Sequence, residues 1–118
     1  MSDPEVNADA RIVPIFSGGG TRLTAHIGIF KALGELQLSF DHVVGISGGS
    51  IVSALYCSGK PLDEIMDLAL ETDFKQFRGY SIFKLLKDGG LSSGDKFERW
   101  IDKHLDGKRF NQLTHKLN

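Results

Sequence analysis

One cysteine, three prolines, one tryptophan and a net charge of −1 in 118 residues leave few of the features that mark a specialised class. Cys57 has no partner for an internal disulfide, so the fold does not rest on an oxidising compartment. Its place in an apolar helical stretch marks it as a buried structural thiol rather than a reactive one. No run nears the roughly 18 consecutive apolar residues of a membrane-spanning helix. The segment Met1–Ala10 is polar and acidic, the opposite of a secretory leader, and is expected to be a flexible tail of a cytoplasmic protein. The near-zero charge gives no bulk attraction to nucleic acid, and none is expected as a partner. No His or Cys spacing suggests zinc, so no metal or other cofactor is expected. With 41% hydrophobic and 25% charged residues, the composition is that of one ordinary globular domain without repeats.

Glycine and helical periodicity organise what is present. Arg11–Phe16 reads as a strand, blemished by Pro14, which cannot donate to a ladder and suits an edge or bulge. A helical pattern runs from about Thr24, with Ile27, Phe30, Leu33 and Leu36 at helical spacing. Gly28 and Gly34 lower its intrinsic helicity and suggest close packing against a neighbour. Asp41–Val44 reads as a second strand, and Ser50–Ser58 as a buried helix stopped by Gly59. Pro61 suits the start of another helix, carrying Ile65, Leu68 and Ala69 on one side. A last helix is expected to begin after Ser92 or Ser93, where Ser92-x-x-Asp95 resembles a capping box, and to end at Gly107. Leu113–Asn118 shows no clear element. The alternation of strands and helices predicts an α/β fold, a parallel sheet with crossover helices. Two strands and four helices would leave edges and faces uncovered, so the chain is expected to be the first part of something larger.

Two glycine motifs carry the chemistry. In Gly45-Ile46-Ser47-Gly48-Gly49 the pattern Gly-x-Ser-x-Gly sets a serine on a strained strand-to-helix turn, with Gly45 and Gly49 letting the elements approach. A serine hydroxyl is a poor nucleophile unless exposed, oriented and paired with a base. The following helix points its positive end at Ser47, where negative charge would develop. Gly18, Gly19 and Gly20, also between a strand and a helix, can turn several N–H groups toward one anion, as an oxyanion hole requires. Arg22 would support that loop or add positive potential. A plain strand–helix junction or a phosphate-binding turn is the blander alternative. A P-loop is disfavoured because no Gly-Lys-Ser/Thr follows, and Leu23 stands where a dinucleotide fingerprint needs its last glycine.

The run from Ile12 to Pro61 resembles the N-terminal core of the patatin-like phospholipase family, whose pattern joins Gly-Gly-Gly-x-Arg-Gly to Gly-x-Ser-x-Gly through a helix and a strand. Gly18, Gly19, Gly20, Arg22, Gly45, Ser47 and Gly49 match, while Leu23 departs from the motif's last glycine. The resemblance implies a three-layer α/β/α core, here partial, with residues 11–118 as the N-terminal portion of the domain. It implies a serine acyl hydrolase acting on phospholipids or lysophospholipids through a Ser-Asp dyad without metal. Ser47 would be its nucleophile and Gly18–Gly20 its oxyanion hole. The family's aspartate stands in Asp-Gly-Ala or Asp-Gly-Gly far downstream. Asp88-Gly89-Gly90 has the letters but follows Ser47 closely and reads as an ordinary loop. The base is therefore expected outside this chain, and the chain alone is expected to be inactive or nearly so. The alternatives are a non-catalytic lipid- or anion-binding module and, by resemblance to some bacterial family members, a nucleotide-activated, membrane-degrading effector of antiviral defence.

Other residues have simpler explanations. His26 begins a helix, His42 precedes a strand, and His104 lies near a helix C-terminus, where a cation is favourable. Too little chain follows Ser47 for the Asp-then-His order of an α/β-hydrolase. The basic, aromatic stretch Phe74–Lys87 reads as core-facing in preference to a patch for peripheral membrane contact. Phe97, Trp100 and Ile101 at helical spacing read as packing.

Overall fold

The structure, a computed structural model, describes residues 11–18, 22–72 and 91–118. Chain order gives β1 (Ile15–Phe16), α1 (Leu23–Glu35), β2 (His42–Gly45), α2 (Gly48–Cys57), α3 (Leu62–Glu71), α4 (Leu91–His104), a short 3-10 turn and β3 (Lys116–Leu117). The strands form one parallel sheet in the order β1-β2-β3, with Ile15 opposite Val44 and Val43 opposite Leu117. This is the α/β fold with crossover helices that the strand–helix alternation predicts.

The first strand is shorter than expected. Pro14 accepts from the Val44 amide through its carbonyl (2.9 Å) but has no N–H to give in return, and the ladder begins after it. The closing segment, in which no element was expected, supplies a third strand. Lys116 donates to the Asp41 carbonyl (2.8 Å), Asn118 donates to Val43 (3.1 Å), and Gly45 donates to Asn118 (2.8 Å). The last helix begins at Leu91, so Ser92 lies within it and not before it. Pro61 does stand immediately before α3, with Asp63 and Glu64 in the first turn, where the helix dipole favours them.

Successive right-handed crossovers in an unreversed strand order put their helices on the same face. The core accordingly lies on the Phe16 and Val43 side, where Leu23, Ile27, Phe30, Val52, Leu55 and Ile65 are buried. Phe30 stacks on Phe16 (centroids 4.2 Å apart) and on Tyr56 of α2 (4.0 Å). Ile101 and Leu105 pack onto the same cluster. Val13 and Ile15, which alternate with the core-facing side of β1, are 49% and 66% exposed. Among the described residues, then, helices cover one face of the sheet. None of the described helices is long and apolar enough to cross a membrane.

Two helix readings need correction. Leu36 falls at the C-cap of α1, past the buried stripe, and is exposed. Among the described residues a Cβ on Gly28 or Gly34 would meet nothing within 4 Å, so no described neighbour makes a close approach to either glycine. Gly28→Ala and Gly34→Ala are each expected to stabilise the chain by about 0.5–1 kcal/mol, measured as a higher denaturant midpoint.

Cys57 is fully buried, and burial pushes its thiol up to about 11. The folded state thus holds its proton to higher pH than the unfolded state does. Stability is expected to be intact below pH 9.0 and to fall as pH rises toward about 11, as read from denaturation curves across that window. Alkylation of the native thiol below pH 9.0 is expected only after unfolding.

Candidate active site

Ser47 joins β2 to α2 with φ 53° and ψ −124°, a conformation that an L-residue adopts only under constraint. The constraint comes from both sides. Ile46 N–H donates to the Phe16 carbonyl (2.8 Å), extending the sheet to the turn. Gly49 and Ser50 amides donate to the Ile46 and Ser47 carbonyls (3.0 and 2.9 Å), starting the helix at once. The Ser50 hydroxyl also donates to the Ser47 carbonyl.

The flanking glycines are required by contact. A Cβ on Gly45 would stand 2.6 Å from Ser50 Cα, and one on Gly49 would stand 2.2 Å from the Phe16 carbonyl oxygen. Gly18 completes the approach: its Cβ would lie 3.3 Å from Ser47 Cβ and 3.6 Å from Ser47 Oγ. The structure thus brings Gly18, Gly45, Ser47 and Gly49 together. Ser47 is exposed, and as the N-cap residue of the ten-residue α2 it stands at the helix's positive end. Gly19, Gly20, the stretch Phe74–Lys87 and Asp88 lie outside the described residues. Arg22 is the exposed N-cap residue of α1, and its side chain makes no capping hydrogen bond.

None of the four histidines hydrogen-bonds Ser47 among the described residues. His42 is the first residue of β2 and pairs with the Asn118 side chain. His115 pairs with Thr114 Oγ1 (2.9 Å). His104 ends α4 beside Trp100, but the expected benefit of a cation there is outweighed. Burial, then Lys103 and Lys60, hold its pKa below the usual histidine range, against a smaller opposite effect of Asp106. His26, the fourth residue of α1, directs Nε2 to the Ser17 carbonyl at 2.9 Å. Helical periodicity gave no signal of that contact, because it joins the helix to the loop before it. Among the described residues no group of three or more His, Cys, Asp or Glu could hold a metal ion. The described arrangement supplies an accessible, oriented hydroxyl beside a close-packed glycine backbone.

A family model described as patatin-like phospholipase matches residues 15–118. The protein named uncharacterized protein YqhO, of Bacillus subtilis (strain 168), is 34% identical over 107 residues, covering 80% of this chain and 36% of that protein. Neuropathy target esterase sws of Drosophila persimilis is 35% identical over 66 residues, 56% of this chain and 5% of that protein. The Drosophila grimshawi protein of that name matches at 35% over 66 residues, 4% of its length. The chain therefore spans about a third of YqhO and a small part of the esterases.

Gly49→Ala is expected to destabilise the chain by at least about 3 kcal/mol, the upper end of overpacking costs, because the new Cβ meets backbone. Ser47→Gly is expected to stabilise it by about 1 kcal/mol, since glycine adopts this conformation without strain. Urea denaturation of both variants checks the pair.

Proposed function

This chain belongs to the patatin-like phospholipase family, and on that footing we propose that it is a serine-dependent lipid acyl hydrolase with Ser47 as nucleophile. The observation that carries the proposal is the constrained backbone of Ser47 with Gly18 against its side chain. Such a turn keeps the hydroxyl exposed at a helix N-terminus, and nothing in core packing calls for that strain.

In this reading Ser47 Oγ attacks an ester carbonyl while an aspartate takes its proton. The carbonyl oxygen becomes an oxyanion held by amides of Gly18–Gly20, each such donor contributing about 2.7–4 kcal/mol to the transition state. Collapse expels the alcohol, which takes back the proton, and water releases the acyl group by the reverse proton path. Ile46, half exposed beside the nucleophile, offers apolar contact to an acyl chain, in keeping with a phospholipid or lysophospholipid substrate. Among the described residues no carboxylate hydrogen-bonds Ser47, so the aspartate is assigned to no position here.

In the intact protein with its base in place, treatment with a fluorophosphonate, read by intact mass, is expected to add one phosphonyl group that Ser47→Ala does not acquire. Hydrolysis of a lysophospholipid is expected to vanish in the same variant. Labelling or turnover that survives the substitution would overturn Ser47 as nucleophile.

A further inference from the structure

Among the described residues, His26 is the one histidine of the four that hydrogen-bonds the segment lying on Ser47. Its Nε2 is 2.9 Å from the Ser17 carbonyl oxygen. A carbonyl only accepts, so Nε2 must carry the proton and donate it. The ring stands edge-on to Phe16, with centroids 5.4 Å apart and planes at 84°. The other nitrogen, Nδ1, is buried and has no partner among the described residues. An unpaired buried acceptor is unfavourable, so packing alone does not explain a histidine at this place. Its one hydrogen bond among the described residues goes to the loop.

That bond acts one atom further than it reaches. The Ser17 carbonyl and the Gly18 N–H belong to one rigid, trans peptide unit and point in opposite directions across its plane. Holding the carbonyl against His26 therefore fixes where the Gly18 N–H points. Donation to the carbonyl also polarises the peptide and strengthens its N–H as a donor. Gly18 is the glycine whose missing Cβ would lie 3.6 Å from Ser47 Oγ. We infer that His26 is a positioning residue, aiming and polarising the Gly18 amide for negative charge formed at Ser47. The catalytic consequence rests on the acyl-hydrolase reading; the hydrogen bond and the tautomer do not.

Nitrogen-15 NMR of histidine-labelled full chain reads the tautomer directly, and His26 is expected to carry its proton on Nε2. A proton on Nδ1 alone would overturn the inference. His26→Ala is expected to slow fluorophosphonate labelling of Ser47 by roughly 10- to 100-fold, below the effect of deleting a donor outright. His26→Gln, whose amide can replace the Nε2–H, is expected to restore most of the rate. Exchange of the Gly18 amide with solvent should be faster in the alanine variant and near native in the glutamine variant. Native-rate labelling of His26→Ala would sink the assignment. If even the intact protein with its base in place fails to label, the hydrolase reading falls, and Gly18 exchange decides the role of His26 alone: equal exchange in the two variants overturns it. Should His26→Ala fail to fold, His26→Asn, whose shorter amide falls short of Ser17, takes its place with the same outcomes.

Discussion

The geometry around Ser47 depends on how closely the backbone of β1 meets the first turn of α2. A side chain at Gly49 would have to occupy space already held by the Phe16 and Ser17 carbonyls, 2.2 and 2.6 Å from its Cβ. With nothing between them, the strand end and the helix start share one contact, and the Phe16 carbonyl is also where the Ile46 amide bonds. The Phe16 ring meanwhile stacks on Phe30, which stacks on Tyr56 of α2. One residue therefore ties the turn to the core. Because interiors are close-packed, a displacement of that aromatic stack is felt at the turn and not absorbed on the way.

Strain of about 1–3 kcal/mol at a residue such as Ser47 persists only where its surroundings overdetermine it. Part of that restraint comes from the far end of the chain. Asn118 accepts from Gly45 and donates to Val43, holding β2 to the last residue before the turn. Thr114 gives both its amide and its hydroxyl to the Cys57 carbonyl, and Lys108 Nζ donates to the Ser58 carbonyl (2.6 Å). Residues 108–118 thus grip the strand that enters the turn and the far end of the helix that leaves it. Of the last carbonyls of α2, those of Leu55 and Tyr56 accept locally, from the Ser58 hydroxyl and the Gly59 amide, while that of Cys57 finds its partners in tertiary structure.

The same contacts explain what could be read from the sequence. Gly45 and Gly49 were legible because a backbone approach closer than a Cβ permits leaves only one residue type, and Gly18 carries the same mark more weakly. Gly28 and Gly34 bear the same letter without such a contact among the described residues. The third strand was not legible. Two ladder residues, Lys116 and Leu117, have no alternation to display, and what makes them a strand is the waiting edge of β2. The contact of His26 with Ser17 was hidden for a related reason, because helical periodicity speaks only of a helix's faces. The buried stripe of α1 was legible up to Phe30 and lost at Leu36, where the helix ends.

Among the described residues, charge at this site is managed by backbone and not by titrating side chains. The first turn of α2 turns its amides toward Ser47 and favours negative charge there at any pH at which the helix stands. Its other end favours positive charge, and there Lys108 donates to the Ser58 carbonyl. Cys57, close to that negative end and buried, keeps its proton, and burial together with Cys57 raises the neighbouring Tyr56. One ten-residue helix thereby separates the place where an anion would be stabilised from the place where anions are suppressed. The polarity needs no ionised side chain at Ser47; in the acyl-hydrolase reading, proton transfer to a base is then the step for which a titrating group is required.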